Sequence, residues 1–450
     1  MNKPIQDIIS LTQDLTQFVT GVVAVDNEAF FSRIQKELPF RIYRTPSNAS
    51  YNGWIVPQLW TVKKAMIHKN GKLIFDGTCH PLGVAFYSKS FRGELDLKSL
   101  KLHLVTQEKL PHAHVFHCMW QYRPWDADWA FCIPYEIYQD LGPGQYQVEL
   151  KTHYKNGEML VADYEHKGKS DQTIVFNAHT CHPCQANDDF AGVALLIRLF
   201  QWLQDQKTHY SYKLVLGPEH LGTTFYLKDK SKEELNNMVA GAFAEMPGTE
   251  AQVRVASTFL GKQIIDKAFS NAVKHNCKNF EFVPWRQGVG NDETVWEAPG
   301  YEIPFVEISR SKSSSHPYPE YHTSLDTINI LNKENLEEFF QVFKEVIFIL
   351  ENNATLQRKF DGLICLSNPG YNLYFERHDP SVNKRLNKDD EKWGYFLNFL
   401  LRYFDGSISI LDIAEKHDLP FQALLKYLTK YREKDLVDFK FSPVREVENV

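Results

Sequence analysis

His179, Cys181, His182, Cys184, Asp188 and Asp189 stand close together in one loop of this chain, and every one of them can bind a metal ion. Neutral imidazole and carboxylate are the ligands that hydrolases use for zinc, and one carboxylate can bridge two ions while imidazoles cap each end. A single His–Asp pair would be read as loop polar groups satisfying backbone; this density points to metal binding. With His179 and His182, the thiols of Cys181 and Cys184 offer an alternative, a structural zinc site. Their spacing does not match a zinc finger, however, and no second cysteine pair follows. Glu219 and His220 come next, in Pro218-Glu219-His220. A carboxylate there can act as general base, and His220 can be a ligand; the bland reading is an acid favoured by a helix N-terminus. Glu245 closes Ala-Gly-Ala-Phe-Ala-Glu, and His322 lies in Tyr-His-Thr-Ser-Leu-Asp-Thr, which ends with Asp326 and Thr327.

The elements that must hold these residues are legible around them. Thr173-Ile174-Val175-Phe176 is a continuous apolar, β-branched run, suited to a strand buried on both faces. Val193, Leu196, Ile197, Phe200 and Leu203 follow at helical spacing. The pattern predicts strands over 173–177, 212–216, 239–244 and 304–308, alternating with helices over 190–204, 223–230, 263–274 and 333–351. Such alternation predicts a doubly wound α/β domain with helices on both faces of its sheet. His179, Glu219 and Glu245 then all fall at carboxyl ends of strands, where ligands sit in such sheets.

Length and composition frame the rest. A chain of 450 residues is long for one domain, and its apolar and aromatic content supports packed cores. Residues 1–40 read as helical. Residues 41–150 read as an inserted β-rich domain, with β-favouring runs such as Trp54–Val56, Leu73–Phe75 and Val84–Tyr87 between Asn-Gly, Asp-Gly and Pro-Gly turns. The catalytic domain is expected over 1–40 and 151–355, a connector over 356–388, and a helical tail with the outline of a winged helix over 389–450. Net charge is −6, without a basic stripe, so nucleic acid is not an expected partner; the tail is expected to serve protein contacts or self-association. No apolar run is long enough to span a bilayer, and no secretory leader pattern opens the chain. With an odd number of scattered cysteines, this predicts a reduced, cytoplasmic setting.

Taken together, Ala178-His179, Ala186-Asn187-Asp188, Glu219, Glu245-Met246 and His322-Thr323-Ser324-Leu325-Asp326-Thr327 resemble the co-catalytic zinc aminopeptidase family, which includes bacterial leucyl aminopeptidases, glutamate carboxypeptidase and glutaminyl cyclases. The chain is similar to an aminopeptidase-like branch with an inserted β-rich domain and a C-terminal winged helix. The resemblance implies a fold, the zinc-aminopeptidase sheet, and an activity, zinc-dependent hydrolysis of a peptide or amide bond with water activated on one or two zinc ions. It also implies roles: His179 and His322 as ligands of different ions, Asp188 as the bridge, Glu245 as a further ligand, and Glu219 as general base. It places Asp292 and Glu293 beside the site, where they could meet a substrate ammonium or amide; a glycine turn with solvated acids is the plain alternative.

The chain departs from that family at three positions. Cys181 stands where an acid usually orients the first histidine. Glu219-His220 replaces an acid pair, so one carboxylate ligand is missing and a one-zinc site is an alternative, with His182 and His220 as further ligand candidates. Glu245 replaces the commoner Asp. Two other functions stay open on these residues: deacylation of an aminosugar or other non-peptide amide, and a catalytically degenerate metal-binding protein that serves interactions.

Overall fold

The computed structural model describes residues 3–117, 119–374 and 388–445, with side chains from residue 7 and, in the last segment, from residue 392. It divides into two compact units, Met1–Phe259 with Glu281–Phe340 and Leu260–Phe280 with Gln341–Val450. Among the described residues no helix is long and apolar enough to cross a membrane.

The first unit is α/β, built on an eight-stranded mixed sheet. In spatial order its strands are Arg41–Pro46, Glu158–His166, Ser211–Gly217, Thr173–His179, Met238–Glu245, Phe305–Arg310, Val253–Ala256 and Phe280–Val283. The four from Ser211–Gly217 to Phe305–Arg310 run parallel; Arg41–Pro46, Glu158–His166 and Val253–Ala256 pair antiparallel. Thr173–His179 and Met238–Glu245 are buried at every position, as their unbroken apolar character requires of strands covered on both faces. The Thr173–His179 strand feeds the helix Ala191–Leu203, whose Val193, Leu196, Ile197, Phe200 and Leu203 are all buried.

A second, four-stranded antiparallel sheet orders its strands Lys72–Asp76, Leu59–Lys69, Gln145–Lys155 and Phe91–Asp96. It packs around Ala65, Ile67, Phe75, Phe131, Tyr146, Val148 and Leu150. Two features differ from the sequence expectation. Arg41–Pro46, assigned to the β-rich module, instead pairs with Glu158–His166 in the large sheet. Val84–Tyr87 forms only an isolated bridge, Val84 to Phe131, and its side chains are buried as a packed turn. A four-residue apolar run signals burial without specifying a ladder partner.

The second unit centres on the strand Ala354–Arg358, flanked by Asp405–Ser409 and Val437–Phe441, so residues 356–358 of the expected connector are ladder. Residues 375–387 of that connector, and 446–450 of the tail, lie outside the described residues. Helices Ile410–His417 and Phe421–Glu433 bury Ile410, Ile413, Leu424, Leu428 and Tyr431. The helix Ile264–Asn276 joins this unit through Lys267–Asp412 (2.6 Å) and Lys274–Glu415 (2.9 Å).

Candidate metal centre

The parallel strands deliver their functional residues at their carboxyl ends, where the crevice of such a sheet opens. His179 is the last residue of its strand, Glu245 the last of the neighbouring one, and Glu219 lies two residues beyond Gly217. Asp188 arrives on the wide turn Ala186–Phe190 that begins the Ala191–Leu203 helix. His322 comes from the loop after the Phe305–Arg310 strand. Several turn residues around the crevice (Cys184, His220, Met246 and His322) have left-handed backbone, with φ between 46° and 56°. Non-glycine residues pay for that conformation, and such positions concentrate where a site needs them.

Asp188 is the hub. Its Oδ1 lies 2.9 Å from His179 Nε2, which is also 3.2 Å from Glu245 Oε1. Its Oδ2 lies 3.3 Å from His182 Nε2 and 3.4 Å from His322 Nε2. Two triads therefore share one carboxylate: His179–Asp188–Glu245, and His182–Asp188–His322, each with ligand atoms within 4.8 Å of one another. His179, His182, Asp188 and Glu245 are buried, each with exposure of 2% or less.

Each buried imidazole is oriented by its other nitrogen. His182 Nδ1 faces the Pro183 carbonyl at 3.0 Å, so it carries the proton and leaves the Nε2 lone pair toward Asp188. His179 Nδ1 faces Cys181 Sγ at 3.4 Å. The thiol thus occupies the place where the sequence lacks an orienting acid, and burial raises its pKa first of all. Asp326 anchors the turn carrying Asp188: its Oδ1 accepts from Asn187 N–H (2.8 Å), and its Oδ2 from Asp188 N–H (3.1 Å) and Tyr318 O–H (2.8 Å). Gly192 leaves room for Asp189, since a Cβ there would meet Asp189 Oδ1 at 2.2 Å.

The titratable groups of the cluster are strongly displaced from their ordinary values. Burial pushes Glu245 and Asp189 well above the carboxylate range, with Asp188 adding repulsion to each. Asp188 is also opposed by burial, yet the hydrogen bond from His179 and the neighbouring imidazoles hold it well below that range. Burial works against charge on His179, but the surrounding acidic groups raise it well above its usual value. Burial pushes His322 down to about 3, which keeps it neutral and able to ligate. His182 Nε2 and Asp188 Oδ2 are buried without a hydrogen-bond partner. An imidazole nitrogen and a carboxylate oxygen left unpartnered side by side fit a metal ion, and an N/O donor set of this kind suits zinc.

The remaining candidates sit differently. Glu219 is in the wall of a cleft of about 710 Å³ that His182 and His322 also line. His220 belongs to neither triad: it turns to Asp292, with Nδ1 3.1 Å from Oδ1. Burial opposes charge on His220, but Asp292 and Glu219 outweigh it and raise its pKa to about 9. Asp292 is buried, accepting also from Thr223 O–H (2.5 Å) and His220 N–H (2.5 Å). Glu293 is buried against Arg286 (2.9 Å) and the Asn291 N–H (2.7 Å). Both acids expected to meet substrate are thus spent on the protein's own donors. Sequence reasoning quoted Asp326 without a role and missed Phe116, whose ring stacks on His182 at 4.4 Å.

Residues 9–353 match the family model described as "Domain of unknown function (DUF4910)". The chain belongs to that family. A Clostridium acetobutylicum protein, assigned as a polysaccharide biosynthesis protein with aminopeptidase-like domain, is 25% identical over 433 residues, 93% of each chain. The crystal structure of a C. acetobutylicum protein assigned as a peptidase superposes with a TM-score of 0.79 at 24% identity, over 97% of each chain. A zinc aminopeptidase from Bacillus subtilis shares the fold at TM-score 0.57 and 13% identity, over 76% of this chain and 94% of its own. The DUF4910 member thus has relatives of the aminopeptidase-like superfamily, and its mixed α/β sheet is of the zinc-aminopeptidase type.

Proposed function

We propose that this protein is a two-zinc hydrolase of an amide C–N bond. One observation carries the reading: the two oxygens of Asp188 face separate ligand sets, His179 with Glu245 on one side and His182 with His322 on the other. His179, Asp188 and Glu245 would hold one ion, and His182, Asp188 and His322 the other. His182 thereby supplies the ligand that the Glu219-His220 sequence withholds. Zinc held there would supply Lewis acidity, polarising the scissile carbonyl and making water acidic enough to attack near neutral pH.

The chain's own groups do the rest. Glu219, in the wall of the same cleft as His182 and His322, takes the proton of the attacking water and delivers it to the departing nitrogen. His220, held protonated by Asp292, presents a cation beside that carboxylate. Cys181 and the Pro183 carbonyl fix the two imidazole rings, a role that outer partners of metal ligands commonly play. The relatives' assignments, aminopeptidase-like and zinc aminopeptidase, support the same chemistry.

The test is turnover of a broad amide panel by zinc-loaded and chelated protein, alongside Glu219→Gln. Zinc-dependent hydrolysis is expected, reduced about 10²- to 10⁴-fold in the variant with its zinc retained. Equal rates with and without metal would overturn the proposal.

A further inference from the structure

We infer that the cleft over the metal centre receives an N-acylated aminosugar residue, whose acyl amide is the bond cleaved; this rests on the amide-hydrolase reading above. Gln121 lies in the cleft wall, 0% exposed, and among the described residues neither its amide oxygen nor its amide nitrogen has a hydrogen-bond partner. A buried carboxamide costs free energy unless both ends are satisfied, so it points to a ligand that offers a donor and an acceptor side by side. Adjacent sugar hydroxyls do so, as does a peptide unit, whereas a hydrocarbon side chain does not; the aromatic wall decides between the first two.

The rest of the wall agrees. Trp54, Tyr122 and Trp125 line the cleft, and Trp125 is 60% exposed, a large ring left available for stacking. Aromatic faces beside a few polar groups suit a sugar ring, whose C–H face is apolar and whose rim is hydroxylated. A substrate with a free amino terminus fits poorly. Asp292 and Glu293 are buried on internal donors, and Arg123 brings a cationic group to the wall that would repel an ammonium. Arg123 has no ion-pair partner among the described residues. An N-acyl nitrogen carries no charge and meets no such penalty.

The reaction balances as a hydrolysis. The oxygen of water bonds to the acyl carbon, the C–N bond breaks, and Glu219 passes the proton to nitrogen. The products are a carboxylate and the aminosugar, whose nitrogen takes up water's second proton to leave as an ammonium.

Two measurements on the zinc-loaded full chain test the inference. Amine release is followed for N-acetylglucosamine and its β-linked oligomers, for N-acetyl amino acids, and for aminoacyl p-nitroanilides. Binding of the same sugars to Glu219→Gln is followed by saturation-transfer NMR, with Gln121→Ala and the surface variant Trp125→Ala added to that background. The expected result is hydrolysis and binding of N-acetylated sugars, with affinity lowered about tenfold by either added change and zinc content unaltered. Cleavage of anilides or N-acetyl amino acids without sugar binding overturns the substrate class and leaves the hydrolase reading standing. Sugar binding sensitive to Gln121 and Trp125, with no amide cleaved, supports the sugar site and overturns the hydrolase reading. Affinity unchanged in both variants overturns the site.

Discussion

The two triads around Asp188 are built to different standards. His179 and Glu245 end adjacent strands of the parallel sheet, held in register opposite Gly217 and Ser309 respectively and closed from solvent. His182 and His322 hang from loops and are steadied by aromatic faces, Phe116 against His182 and Tyr321 against His322 at 3.9 Å. His322 keeps 27% of its side chain exposed. The inner triad is thus a rigid part of the sheet, and the outer one borders the cleft. A two-zinc centre of the kind proposed would gain from both, since one ion would stay put while the other met substrate. On the two-zinc proposal the difference predicts unequal affinities, tighter inside and weaker outside.

Removing what the triads share should erase the contrast. Asp188→Ala is expected to take zinc content from about two ions per chain to near zero, with loss of all metal-dependent turnover, measured by elemental analysis after gel filtration. Retention of one tight ion would show that the inner triad does not need the bridge. A smaller effect is expected from Asp326→Ala, which strips the Asn187 and Asp188 N–H groups and Tyr318 O–H of their acceptor. Both zinc affinities should fall, by about 10- to 100-fold, in a chelator competition. An unchanged affinity would mean that the turn holds Asp188 without help.

Cys181→Asp addresses the inner triad alone. Returning a carboxylate to His179 Nδ1 should tighten the inner ion about tenfold and leave the outer one unmoved. Equal tightening at both would contradict the division drawn here.

Much of this contrast was legible in the sequence, and the part that was not has a physical cause. The apolar runs ending at His179 and Glu245 announced buried parallel strands, and strand ends fix where a side chain points. The loop residues gave no such direction. His182 and His220 were equal ligand candidates by type. What separates them is a left-handed turn that aims His220 at Asp292, and a carbonyl that aims His182 at Asp188, neither of which residue identity encodes. The acids Asp292 and Glu293 read as exposed because their partners, Thr223, His220 and Arg286, were not apparent from spacing. Gln121 and Trp125 carry no motif at all; only folding brings them to the cleft. The strand Arg41–Pro46 looked continuous with its β-rich neighbours, since composition does not say which sheet a strand joins.

The central claim is that His182 holds a second ion in place of the absent carboxylate. The most direct test is zinc stoichiometry in the wild-type chain and in His182→Ala after identical loading and desalting. About two ions per chain falling to about one, with the remaining ion bound as tightly as before, is the expected result. Equal stoichiometry in the two proteins would contradict it.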